Sequence, residues 1–323
     1  MLEAEMVQPG QISFREVPIP RAGEGEVVIR VKRIGVCGSD IHVWHGKHPY
    51  TSYPVIQGHE LSGEIAEVGP GANFTLGDRV TVQPQVVCGK CPPCREGNYN
   101  ICNHLKVMGF QTEGGAREYW RVNAEKVVKI PTTISFEEGA MIEPLAVAVH
   151  ALSRVREIRG KNLLVLGAGP IGNFVAQAAK GLGANRVMIT DISDFRLQSA
   201  KEVGADFCVN PNKQDLNEML VEKFGAKKAD LILECVGSAA TINQAIECAR
   251  KGSEIIVVGV YPEKVEVNMG FVQDRELRLT GTLMYKREDY LTAIDLLTRK
   301  KSKLKSSSQC ASPLRITKRL TVI

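Results

Sequence analysis

The sequence predicts an α/β chain in two parts, a small irregular β-barrel followed by a doubly wound parallel sheet. Three observations predict it. The stretch Gly167-Ala168-Gly169-Pro170-Ile171-Gly172 lies between an apolar run over 163–166 and a helical pattern over 174–182. Beyond it, strand and helix patterns alternate. Before it, short β-branched runs are broken at close intervals by glycine and proline.

The 323 residues suit two domains better than one, since single cores stop growing near about 250–300 residues. Hydrophobic content of 44% and charged content of 24% are those of an ordinary water-soluble globular chain. The net charge of +5 does not point to nucleic acid. Seven basic residues and no acid follow from Lys300 onward, which leaves −2 for residues 1–299. No basic stripe carries interleaved aromatics. No apolar run reaches membrane-spanning length, and the first residues, Met1-Leu2-Glu3-Ala4-Glu5, lack the pattern of an export signal. A cytoplasmic protein is expected. In that reducing setting, clustered cysteines are metal ligands more often than disulfides.

Residues 26–32, 62–68 and 78–82 read as strands of the barrel. Gly69, Pro70, Gly71 and Gly77 punctuate them. Three constellations sit in this half. Cys88, Cys91, Cys94 and Cys102 place four thiols within fifteen residues. That spacing makes a closed tetrahedral zinc site, and a closed site is structural; an iron–sulfur cluster is the lesser alternative. The second constellation is Cys37-Gly38-Ser39-Asp40-Ile41-His42, and the third is Gly58-His59-Glu60 with Gly63. A thiolate and an imidazole on glycine-bearing segments of one small domain can meet at a zinc ion that keeps one position open. The carboxylate ligand is Glu60, or Glu143 before Pro144; the alternative for Glu143 is an acid at a helix N-terminus.

The glycine stretch reads as strand, tight turn and helix. Gly167, Gly169 and Gly172, with Pro170 and Ile171, allow a pyrophosphate to approach the backbone at the helix N-terminus. Asp191 closes the next apolar run, 186–190, where an acid can accept from a ribose hydroxyl. Patterns then follow in order: helix 196–202, strand 206–209, strand 229–235, helix 241–249, strand 254–258, strand 277–282 and helix 288–299. Six strands are the number of a dinucleotide-binding domain. Cys208, Cys235 and Cys248 read as small core residues.

Together these motifs resemble the zinc-dependent medium-chain dehydrogenase/reductase family, and most closely its sorbitol (L-iditol) or polyol dehydrogenase branch. The resemblance covers about residues 10–300. It implies a GroES-like catalytic barrel over 1–148 with a structural-zinc lobe at about 86–104. A Rossmann domain over 149–285 and a C-terminal return segment over 286–323 complete the expected organisation. It implies Cys37 and His59 as catalytic-zinc ligands, with Glu60 and Glu143 alternating at the remaining protein position. The alcohol-dehydrogenase branch has cysteine where Glu143 stands. Two zinc ions per chain and NAD are the implied cofactors. The implied reaction is reversible hydride transfer from a secondary alcohol or polyol, with zinc as Lewis acid. Ser39 would carry the proton first. His42 matches a relay histidine, or is a plain surface histidine of the barrel. Val258, Gly259, Val260 and the segment 283–285 match positions near the nicotinamide. Arg196, five residues after Asp191, matches an adenosine contact that admits some NADP use. Members of the family are homodimers or homotetramers, so such an assembly is expected.

The sequence departs from the polyol branch in three places. Met284 stands where arginine precedes the substrate-side tyrosine, and Val43 stands where a substrate-facing tyrosine follows the histidine. Both changes make the expected pocket more apolar. The remainder after about residue 300 is rich in Lys and Ser, short for the family and aperiodic. A disordered tail, with only 320–323 able to form a strand, is the expectation there. Two other readings remain: a threonine-type amino-alcohol dehydrogenase, whose first motif has Thr where Ser39 stands, and a nucleotide-binding homologue silenced by its C-terminus.

Overall fold

The computed structural model describes residues 1–299; the expectations for 300–323 lie outside them. The chain forms two compact units that part in sequence between Glu143 and Pro144. The first opens with an antiparallel hairpin, β1 (Leu2–Gln8) and β2 (Gln11–Glu16). Then come β3 (Glu26–Ile34), α1 (Gly38–Trp44), β4 (Leu61–Val68), β5 (Arg79–Val82) and β6 (Gln85–Val86). They are followed by α2 (Pro92–Arg95), β7 (Lys106–Val107), β8 (Tyr119–Asn123), β9 (Val127–Lys129) and α3 (Phe136–Ala140). A helix, α4 (Ile142–Ser153), runs across the boundary with Pro144 in its first turn, where a missing N–H costs nothing.

Five of these strands make an antiparallel sheet in the order β8-β3-β4-β5-β9. Register shifts within the β3–β4 ladder curl it. Val27, Ile29, Leu61, Ile65, Val80, Val82 and Trp120 fill its inner face. Burying each such aliphatic side chain is worth about 1.5–3 kcal/mol. A second apolar cluster, Met6, Val43, Val55 and Phe110, packs α1 against the first hairpin.

The second unit alternates strand and helix: β10 (Asn162–Leu166), α5 (Pro170–Gly181), β11 (Arg186–Thr190), α6 (Asp194–Glu202), β12 (Phe207–Val209) and α7 (Leu216–Phe224). It continues with β13 (Leu231–Glu234), α8 (Ala239–Cys248), β14 (Glu254–Val257), α9 (Met269–Asp274), β15 (Arg278–Gly281) and α10 (Arg287–Thr298). All six strands run parallel in the order β12-β11-β10-β13-β14-β15. The order reverses between β10 and β13, the crevice where doubly wound sheets bind ligands. Leu163, Leu164, Val165 and Leu166 expose nothing, as a central parallel strand covered on both faces requires. Among the described residues no helix is long and apolar enough to cross a membrane.

Candidate active site and zinc centres

The four-cysteine lobe is built by local backbone. Cys91 precedes α2, and prolines open that helix. The donor sulfurs of Cys88, Cys91, Cys94 and Cys102 lie within 4.8 Å of one another. Cys102 Sγ is 3.5 Å from Cys88 Sγ and 3.8 Å from Cys91 Sγ. Tetrahedral zinc with ligands at about 2.3 Å sets sulfurs about 3.8 Å apart, whereas a disulfide needs about 2.05 Å. The lobe therefore fits zinc. Backbone N–H groups already point at the sulfurs: Cys88 N–H and His104 N–H donate to Cys102 Sγ, and Cys91 N–H donates to Cys88 Sγ. A hydrogen bond from the backbone of Asn103 leads those that bring the Cys91 thiol down to about 6. Burial pushes Cys94 up to about 12.

The second centre gathers side chains from separated segments. Cys37 caps α1, and its N–H donates to Asp40 Oδ2 at 2.9 Å. His59 and Glu60 lead into β4. Gly35 makes room for Glu60: a Cβ there would stand 2.2 Å from Glu60 Oε2. The Gly35 N–H also donates to the Glu60 carbonyl at 2.7 Å. The donor atoms of Cys37, His59 and Glu60 lie within 4.8 Å of one another. His59 and Glu60 are buried. Burial raises the Cys37 thiol and, with the nearby Glu143 charge, carries Glu60 up to about 8. Burial alone would lower His59, but Asp40, Cys37 and Glu143 hold it well above its ordinary range. Sulfur, nitrogen and oxygen donors converging in a buried space suit zinc, whose charge would favour the ionised thiol and carboxylate.

Asp40 has a place the sequence reading did not assign. Its Oδ1 accepts from Gln57 Nε2 at 3.0 Å and stands 3.7 Å from His59 Nδ1, which has no hydrogen-bond partner. At that separation the carboxylate acts on the imidazole through its charge. Position N3 of the α1 capping box was the sequence signal for it. Glu143 is buried in the first turn of α4 but is not one of the three converging donors. Ser39 is half-buried and His42 exposed; both lie on α1, three residues apart. Val43 is fully buried in the cluster with Phe110, so it does not face a substrate.

In the second unit, Gly169 caps α5, Pro170 opens it and Ile171 follows in its first turn. A Cβ on Gly172 would meet the Gly167 carbonyl at 1.8 Å, and Gly167 itself has φ +99°. Only glycine permits that approach. Asp191 is buried; its Oδ2 accepts from Ala168 N–H and its Oδ1 from Ser193 N–H, each at 2.9 Å. Arg196 Nη1 lies 3.7 Å from Asp191 Oδ2. Each carboxylate oxygen can accept a second hydrogen bond.

Glu234, at the end of β13, escaped the sequence reading because it closes a buried apolar run without a motif. Its Oε1 accepts from Val236 N–H, Gly237 N–H and the Thr241 hydroxyl, and its Oε2 from the Tyr261 hydroxyl at 2.6 Å. Its carbonyl accepts from Val258 N–H and Gly259 N–H. One residue thus ties the loops after β13 and β14 together. Val260 is left exposed beside them. Tyr285 exposes no surface and packs on Tyr290 at 5.0 Å between ring centroids.

Two family profiles match: the alcohol dehydrogenase GroES-like domain over residues 23–132 and the zinc-binding dehydrogenase domain over 170–299. A sorbitol dehydrogenase of Halalkalibacterium halodurans is 37% identical over 302 residues, which are 92% of this chain and 88% of the relative. The chain belongs to the zinc-dependent medium-chain dehydrogenase/reductase family. Solved structures agree with the family's two-part architecture. A zinc-binding dehydrogenase of Sinorhizobium meliloti 1021 bound to NADP has TM-score 0.87 and 32% identity, covering 93% of this chain and 89% of that one. An alcohol dehydrogenase of Escherichia coli CFT073 complexed with NADH has TM-score 0.86 and 34% identity, covering 94% and 88%. This medium-chain dehydrogenase is an oxidoreductase that uses zinc and a nicotinamide cofactor.

Proposed function

We propose that the chain reversibly oxidises a secondary alcohol or polyol with NAD. The convergence of Cys37, His59 and Glu60 donor atoms within 4.8 Å carries this reading. They would hold the catalytic zinc, and the four cysteines the structural one. When bound, zinc supplies Lewis acidity that makes the alcohol hydroxyl easier to deprotonate, and the nicotinamide accepts the hydride. The chain's own residues do the rest. Asp40 lends negative charge to His59, and Gly35 sets the depth of Glu60. The half-buried Ser39 hydroxyl takes the substrate proton, and exposed His42 on the same face of α1 passes it to water. Glu143 contributes negative charge to the centre without being a ligand.

The buried Asp191 carboxylate disfavours a 2′-phosphate, and Arg196 offsets it only in part. NAD is therefore preferred over NADP. Equal kcat/KM for the two would overturn this preference, as would unchanged NADP use in Asp191→Ala. The units part in sequence between Glu143 and Pro144, and we assign catalysis to the first and cofactor binding to the second. Strand β15 is a sheet edge bearing half-exposed Leu279, which supports a homo-oligomer built by edge pairing; light scattering tests it. Free thiols among the described residues support a reducing, cytoplasmic setting.

The deciding experiment measures zinc per chain and NAD reduction against sorbitol, xylitol, 2,3-butanediol, threonine and simple secondary alcohols. Two zinc ions with turnover on polyols are expected. Full zinc and normal NAD binding with no turnover on any alcohol would overturn the reading.

A further inference from the structure

A polyhydroxylated substrate needs polar partners beyond the hydroxyl that reacts. Val43, first expected at the pocket wall, offers none there because it is packed in the core. The loop after α1 supplies one instead. This loop is pinned where the Tyr53 hydroxyl donates to the Val43 carbonyl. On it, half-buried His48 stacks on Phe110, with ring centroids 4.6 Å apart and planes 17° apart. Phe110 in turn packs against His59 at 4.8 Å and 48°. The three rings form a column with the metal-binding imidazole at one end and His48 at the other.

On the reading that the substrate is a polyol, we propose that His48 recognises a second hydroxyl of the substrate, next to the one oxidised. Its Nδ1 is engaged by Thr51 Oγ1 at 2.7 Å. Its Nε2 has no protein hydrogen-bond partner among the described residues. With Nδ1 committed, Nε2 has one fixed role, donor or acceptor. A hydroxyl can answer either. His48 lies close enough to His42, Asp40 and His59 to feel their charges, and burial keeps it below the ordinary histidine range. A neutral imidazole one ring removed from His59 suits an uncharged, hydroxyl-bearing ligand. An alkyl group in the same place would leave Nε2 unpaired, so the residue sorts polyols from monohydric alcohols.

Two variants test this. His48→Phe keeps an aromatic ring for Phe110 but loses both nitrogens, and His48→Gln keeps a hydrogen-bonding group. The expected result for His48→Phe is a drop of about 10- to 100-fold in the ratio of kcat/KM on xylitol to that on 2-butanol. The loss should lie mainly in KM, and His48→Gln should recover part of it. A ratio unchanged in His48→Phe would overturn the proposal. A second readout does not depend on turnover. In zinc-loaded protein carrying NADH and 15N-labelled histidine, xylitol should move the His48 Nε2 resonance and 2-butanol should not. If wild-type protein oxidises polyols while that resonance stays still, only the role of His48 falls. If wild-type protein neither oxidises nor binds polyols, the polyol reading falls and the role of His48 falls with it.

Discussion

The first unit holds two cysteine-bearing centres, and they are made in opposite ways. In the four-cysteine lobe every candidate ligand comes from one fifteen-residue stretch. Backbone N–H groups of that stretch and of the two residues after it already solvate the sulfurs, and the one from Asn103 leads those that hold Cys91 down at about 6. At Cys37, His59 and Glu60 the candidate ligands come from two separate segments, with His59 and Glu60 buried and Cys37 half-buried. There burial raises the thiol and brings Glu60 to about 8. A site of local backbone can stabilise its anions before the ion arrives. A site of buried side chains depends on the ion for charge balance.

That contrast can be broken by experiment. His59→Ala should remove one zinc of two and lower turnover about a thousandfold or more, with little change in melting temperature. Metal analysis and calorimetry on the same sample check it; a large fall in melting temperature would put the centre on the folding side of the comparison. Cys91→Ser should do the reverse, losing the other zinc and lowering stability by about 3 kcal/mol or more in urea unfolding. Between the two acids the difference should be smaller. Glu60→Gln should weaken catalytic-zinc affinity about 10- to 100-fold, whereas Glu143→Gln should keep the metal and change rate. Chelator titrations separate these outcomes. The smallest effect is in the zinc-stripped protein. Cys91, lowered to about 6, should be mostly thiolate at neutral pH, and its alkylation by iodoacetamide should rise through about pH 6 and level off near neutrality. Cys37, whose thiol is raised, should react only in more alkaline solution, as peptide mass spectrometry would report.

The same contrast explains what the sequence disclosed. Cys88 to Cys102 and Gly167 to Gly172 could be read because their chemistry needs only near neighbours and a fixed spacing. Strands β10, β11, β13 and β14 were legible because buried parallel strands are continuous apolar runs; β11 spans the anticipated 186–190. Asp40 lay inside a quoted motif, yet its partner Gln57 is seventeen residues away. Glu234 looks like the end of a strand until Tyr261, twenty-seven residues on, is brought to it. His48 has no signature, because only the fold stacks it on Phe110. Helix α4 starts where the sequence offered Glu143 as an acid at a helix N-terminus, and Pro144 sits in its first turn, where proline is tolerated. Val43 was expected at a pocket wall, but α1 turns it toward Met6 and Val55.

Glu234 makes the loops after β13 and β14 behave as a single jaw bolted by one carboxylate. Asp191 and Arg196 belong to a different corner of the same sheet, on the far side of β10. Substitutions at the proposed adenosine contacts Asp191 and Arg196 should therefore leave the loops joined through Glu234 in place.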